Sequence, residues 1–164
     1  MGDRVSEGRT AVARQGEREL VVTRVFDAPV QLVFDAWTKA ELFQRWWAPR
    51  SRNMPMLSCE MDVRTGGSYR IVFALDGGRT LAFFGRYLEV APPERLVWTN
   101  EESGEEGAVT TVTLEDEGGR TRLVLRELYP SKDALDESFV GMEDTMPEQF
   151  EQLDELLVTL APKV

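Results

Sequence analysis

The chain has 164 residues, 42% of them apolar, which suits one compact domain with a core that needs neither disulfides nor metals. It has no histidine and a single cysteine, Cys59, so Ser-His-Asp triads, Cys-His pairs, HExxH zinc sites, His-ligated iron, intramolecular disulfides and CxxC motifs are all excluded. A net charge of -10 argues against the broad basic footprint of a nucleic-acid binder.

Residues 1–17 are polar, Gly-containing and Arg-rich, yet carry Asp3, Glu7 and Glu17. They read as a disordered leader, with a single domain over 18–162. No apolar stretch approaches the roughly 20 residues of a membrane helix, and no apolar h-region opens the chain. The expectation is a soluble, cytoplasmic protein.

Glu19–Phe26 is β-branched and reads as a strand. Asp27-Ala28-Pro29 breaks it, and Pro29 suits the first turn of a helix. Val30, Val33, Phe34 and Trp37 then form an amphipathic stripe. Thr38 and Glu41 have the spacing of a capping box for a second short helix, which carries Leu42, Phe43, Trp46 and Trp47 and ends near Pro49.

From 56 to 129 strand follows strand. Tyr69, Ile71 and Phe73 alternate with Arg70, Val72 and Ala74; Asp76-Gly77-Gly78 marks a hairpin; Leu81, Phe83, Gly85 and Tyr87 alternate with Ala82, Phe84, Arg86 and Leu88. Further strands follow at Leu96–Glu101, Val109–Leu114 and Thr121–Leu128. The short connections imply an antiparallel meander.

In the last segment Met146, Phe150, Leu153, Leu157 and Leu160 make a core-facing stripe, with Glu148, Glu151, Gln152, Asp154 and Glu155 on the opposite face. Thr145 and Glu148 repeat the capping-box spacing. A helix running through Pro147 would set its ring against the carbonyl of Glu143. The long helix is therefore expected to start near Thr145, or to kink there. The fold class is α+β: a curved antiparallel sheet wrapped around a long C-terminal helix, with two short helices after the first strand.

Charge is uneven. Residues 1–100 hold 14 basic and 12 acidic side chains, and residues 101–164 hold 5 and 17. The acidity falls on loops and on the outer face of the last helix, a solvated surface or a docking face for a basic partner.

Eleven large side chains could line a pocket between sheet and helix: Trp37, Trp46, Trp47, Tyr69, Phe73, Phe83, Tyr87, Trp98, Met142, Met146 and Phe150. Arg70, Arg86, Arg122, Tyr69, Tyr87, Thr99 and Asn100 could orient a ligand. Glu60 and Asp62 share one strand face, which reads as exposed rather than as an acid-base pair. Cys59 reads as a buried small hydrophobe. No residue pattern marks a catalytic or metal site, and no cofactor is implied.

The order of several short motifs resembles the activator of heat-shock-protein-90 ATPase homologue-like family. These are Thr23-Arg24-Val25-Phe26-Asp27-Ala28-Pro29, Val33-Phe34-Asp35-Ala36-Trp37-Thr38, Trp46-Trp47-Ala48-Pro49, Asp62-Val63-Arg64-Thr65-Gly66-Gly67, Gly85-Arg86-Tyr87-Leu88-Glu89, Pro93-Glu94-Arg95-Leu96-Val97, and Gly141-Met142-Glu143 with Leu153-Asp154-Glu155-Leu156. The family lies in the START/polyketide-cyclase-like (SRPBCC) superfamily, so the resemblance implies the helix-grip fold of the birch pollen allergen. It departs from the family at Thr145-Met146, where Gly-Trp is common. The resemblance implies non-enzymatic binding of a hydrophobic or amphipathic small molecule. The alternatives are a cyclase- or hydrolase-type enzyme using Glu, Asp or Tyr as acid and base, and a chaperone co-factor acting through protein contacts. The sequence leaves a homodimer or a protein partner open, and implies neither nucleic acid nor membrane insertion.

Overall fold

The first described element of the chain is a strand, β1 (Ala11–Gln15), paired antiparallel with β2 (Glu19–Phe26) from Ala11 opposite Thr23 to Gln15 opposite Glu19. The computed structural model describes residues 10–52, 54–101 and 107–160. The strand corrects the expectation of a disordered leader over 11–15; residues 1–9 lie outside the described residues. β1 is an edge strand with its last three residues exposed, so it carries no apolar stripe to read. Arg14 ties it down by pairing with Asp136 and lying 5.4 Å from the centre of the Phe139 ring.

β2 turns Leu20, Val22, Arg24 and Phe26 inward. α1 (Val30–Thr38) buries Val33, Phe34, Ala36 and Trp37, and α2 (Ala40–Phe43) follows directly. Pro29 is the N-cap of α1 rather than its first turn. Thr38 does not cap α2. Its hydroxyl donates to the Phe34 carbonyl at 2.9 Å, while the N-cap of α2 is Lys39, with no side-chain capping bond. At the end of a helix the carbonyl four residues back is a ready acceptor, and a threonine hydroxyl takes it.

The remaining strands are β3 (Met56–Met61), β4 (Ser68–Ala74), β5 (Thr80–Ala91), β6 (Arg95–Thr99), β7 (Val109–Glu117) and β8 (Arg120–Leu128). The sheet is antiparallel throughout, in the order β1-β2-β8-β7-β6-β5-β4-β3. α1 and α2 carry the chain from β2 to β3 at the far edge. One long helix, α3 (Lys132–Leu160), packs on β2 and α1. The architecture is the helix-grip fold.

α3 runs unbroken through Pro147, which corrects the expected start near Thr145. The proline removes one backbone hydrogen bond and costs roughly 3 kcal/mol in a helix interior. Burial on both sides outweighs it. Leu135 is fully buried in the first turns, and Met146 and Phe150 flank the proline with almost no exposure. The N-terminal cap is Ser131, whose hydroxyl accepts from the Ala134 N–H at 3.1 Å. No described helix is long and apolar enough to cross a membrane.

Candidate functional site

A cavity of about 940 Å³ lies between the sheet, the α1–α2 bracket and the N-terminal half of α3. Nine of the eleven side chains expected at a pocket line it: Trp37, Trp47, Tyr69, Phe73, Phe83, Tyr87, Trp98, Met142 and Met146. Trp46 and Phe150 do not. Both are fully buried behind the wall. The Trp46 Nε1–H donates to the Ala36 carbonyl at 2.9 Å, and the Trp46 ring stands edge-on to Trp37 at 4.8 Å. Phe150 packs edge-on against Phe26 at 5.7 Å. The second short helix ends at Phe43 rather than near Pro49, so Trp46 and Trp47 lie in the turn that follows it; there Trp46 enters the core while Trp47 stacks on Phe43 at 4.9 Å and reaches the cavity.

Two glutamines hold the Trp46-Trp47-Ala48 segment against α3. Gln149 Nε2 donates to the Trp47 carbonyl at 2.5 Å, and Gln152 Nε2 to the Trp46 and Ala48 carbonyls at 2.9 Å each. Gln152 Oε1 accepts from the Arg50 N–H at 2.9 Å. Both glutamines are buried, which corrects the placement of Gln152 on the solvated face. Backbone carbonyls in a buried loop need donors, and these side chains supply them.

A polar chain runs along one wall. The Tyr69 hydroxyl donates to the Thr99 carbonyl at 2.7 Å. Asn100 Nδ2 donates to the Ala108 carbonyl at 3.0 Å and to Thr110 Oγ1 at 2.9 Å. The Thr110 hydroxyl donates to Glu127 Oε2 at 2.9 Å, and the Tyr129 hydroxyl to Glu127 Oε1 at 2.6 Å. Gly85 lets the strands come this close: a Cβ there would sit 2.0 Å from the Thr99 carbonyl oxygen that Tyr69 bonds. Glu127 was not among the expected residues, although a signal for it exists: Leu123, Leu125 and Glu127 share the inward face of β8 at a period of two. Thr110 shares the inward face of β7 with Val112 and Leu114 at the same period of two, and Gln149 falls three residues after Met146 and four before Leu153 on the buried stripe of α3; Tyr129, between β8 and α3, carries no comparable signal.

Of the other polar candidates, Tyr87 and Asn100 reach the cavity. Burial, with smaller contributions from Cys59 and Asp62, pushes the Tyr87 phenol well above its usual range. Arg70, Arg86, Glu60 and Asp62 line a separate outer groove. There Arg86 donates to Glu101 at 2.9 Å and Arg64 to Asp62 at 2.9 Å. Arg122 lines neither. Thr99 uses its hydroxyl on Glu101 at 2.6 Å. Cys59 is half-buried rather than fully buried, and burial pushes its thiol up to about 11. Among the described residues no group of three or more His, Cys, Asp or Glu side chains could hold a metal ion.

The model of the family described as Activator of Hsp90 ATPase homolog 1-like protein matches residues 27–158. The chain belongs to that family. Solved structures support the fold. A protein from Rhodobacter sphaeroides is 26% identical, with a TM-score of 0.84 over 92% of this chain and 99% of that one. A Mycobacterium smegmatis protein is 22% identical, with a TM-score of 0.80 over 93% and 99%. An Aeromonas hydrophila protein of the same family is 17% identical, with a TM-score of 0.71 over 88% and 97%. No curated protein matches the chain in sequence.

Met146, where the sequence departs from the pattern that its resemblance implies, is buried at the cavity wall. The acids of α3 that read as a docking face pair within the chain. Glu151 and Asp154 each lie 3.5 Å from Arg24, Glu155 lies 2.7 Å from Arg50, and Glu148 accepts from Ser51.

Proposed function

We propose that this chain binds a hydrophobic or amphipathic small molecule in the cavity between the sheet and α3, in the cytoplasm and without transforming it. The supporting observation is the cavity itself. Its volume of about 940 Å³ falls within the ~300–1,000 Å³ typical of ligand pockets. Its lining is aromatic and methionine-rich, with hydrogen-bonding groups from the sheet side (Tyr69, Tyr87, Asn100) and from α3 (Ser138, Thr145, Gln149). The chaperone co-factor reading loses support because Glu148, Glu151, Asp154 and Glu155, on the C-terminal half of α3, are engaged by Ser51, Arg24 and Arg50. The enzyme reading rests on one observation, the Glu127 carboxylate on the cavity wall beside the Tyr129 hydroxyl.

The test is titration with Nile red, a neutral hydrophobic fluorophore, alongside native mass spectrometry of freshly purified protein for a co-purifying mass. Saturable binding at one site is expected. Ala134→Trp, which places an indole where α3 lines the cavity, should weaken it about tenfold or more, by steric exclusion. Unsaturable binding, or equal affinity in the variant, would contradict the reading.

A further inference from the structure

Most of the buried polar hydrogens on the cavity wall are already spent. Among the described lining side chains that are at least nine-tenths buried, those with an N–H or O–H are Trp37, Tyr69, Tyr87, Tyr129 and Gln149. Tyr69 donates to the Thr99 carbonyl, Tyr129 to Glu127 and Gln149 to the Trp47 carbonyl. The Trp37 and Tyr87 donors have no hydrogen-bond partner among the described residues. They differ in access. The Trp37 nitrogen is sealed, in a ring that packs on Trp46, Trp47 and Trp98. The Tyr87 hydroxyl, on a ring that lines the cavity, is not sealed. Period-two alternation along β5 turns Phe83 and Tyr87 to this face, and the Tyr87 ring rests 5.7 Å from Tyr69. Burial, with smaller contributions from Cys59 and Asp62, holds the phenol in its protonated form at neutral pH. It therefore presents an O–H and not an oxyanion.

We infer that the Tyr87 hydroxyl donates to a carbonyl oxygen of the ligand, so that the cavity takes hydrophobic ketones, esters or amides in preference to hydrocarbons of the same shape. The inference rests on the cavity being a binding site and goes further by naming the functional group that the ligand carries and the residue that reads it. Before binding, solvent in the cavity serves the hydroxyl. A carbonyl ligand replaces that bond with one of its own. A hydrocarbon expels the water and leaves a buried donor unmade, which is the costly case. A site with a buried hydrogen-bonding group discriminates strongly against the analogue that lacks the matching atom.

1-Tetralone and tetralin share one fused-ring body and differ by a carbonyl in place of a methylene. Each is titrated as a competitor of Nile red, whose own affinity is measured first, in the parent protein and in Tyr87→Phe, which removes the hydroxyl and keeps the ring. Tyr87→Phe should weaken tetralone about tenfold and leave tetralin within about twofold. The ratio of the two affinities carries the reading, because a change in fold or cavity shape would move both. Infrared difference spectra of bound tetralone report on the bond itself. The carbonyl stretch should lie at lower wavenumber in the parent than in Tyr87→Phe. Equal losses for both competitors, unchanged tetralone affinity, or the same carbonyl stretch in both proteins would overturn the assignment of Tyr87 and leave the cavity reading standing. So would failure of both competitors to displace Nile red that itself binds saturably. Unsaturable Nile red binding would overturn the cavity reading and this inference with it.

Discussion

Trp37 and Trp46 look equivalent by residue type and burial, yet their indole nitrogens have opposite fates. The Trp46 N–H is bonded to the Ala36 carbonyl, whereas the buried Trp37 N–H finds no acceptor among the described residues. A buried donor left unmade costs about 1–3 kcal/mol, and cutting a made bond strands its partner at a similar cost. Trp46→Phe should therefore destabilise the protein by about 2 kcal/mol more than Trp37→Phe, read from urea denaturation midpoints at equal m-values. Equal losses would mean that ring packing alone sets the cost. Residue identity could not separate the two in the sequence. Trp46 and Trp47 both lie in the turn after α2, and which of them enters the core goes with how α3 clamps that turn through Gln149 and Gln152. The buried glutamines show the same limit, since Gln152 sits among acids in sequence and is claimed by loop carbonyls in space.

At the scale of elements, strands β2 to β8 were legible because period-two alternation and Gly-containing turns mark them directly. β1 was not, because an exposed edge strand has no buried face to print an alternation. The start of α3 was misread because the proline rule is local. Burial of Leu135, Met146 and Phe150 is a tertiary effect larger than one lost hydrogen bond. The join between α3 and β2 carries its own electrostatic test. Arg24 is almost wholly buried, its ring-facing plane 5.2 Å from Phe26, and Glu151 and Asp154 approach it from α3. Burial raises the Asp154 pKa first, and Arg24 only partly opposes it while Glu151, Asp27 and Glu155 add to the rise. A carboxyl raised in the folded state supports the fold while protonated and withdraws that support as pH climbs through its folded value. Asp154→Asn should thus stay within about 1 kcal/mol of the parent at neutral pH, given its exposure to solvent screening. Its stability relative to the parent should rise between acidic and neutral pH, as paired urea titrations would show. A large loss that grows with pH would mean that Asp154 is the principal counter-charge of Arg24, with Glu151 secondary.

For the whole molecule, the cavity sets the energetics. A sealed, solvent-free void costs roughly 24 cal/mol per Å³ in a protein core. Over about 940 Å³ that would come to roughly 20 kcal/mol, more than the ~5–15 kcal/mol of an ordinary domain's stability. The space must therefore hold solvent or a ligand, which the opening beside Glu137 and Gly141 permits. Water against aromatic walls is a poor occupant, so an apolar body that displaces it should bind with a negative heat-capacity change. Binding to the folded state alone stabilises it by mass action, about 2.7 kcal/mol at a free concentration of a hundred times Kd. For a chain of this size that corresponds to a rise in Tm of about 5–10 °C. Differential scanning calorimetry with the neutral probe Nile red at that concentration should show this rise in the parent protein. Ala134→Trp, at the same ligand concentration, should show a much smaller one. An equal rise in both would locate the ligand on the outer surface, and the outer groove around Arg70 and Arg86 would then be the place to look.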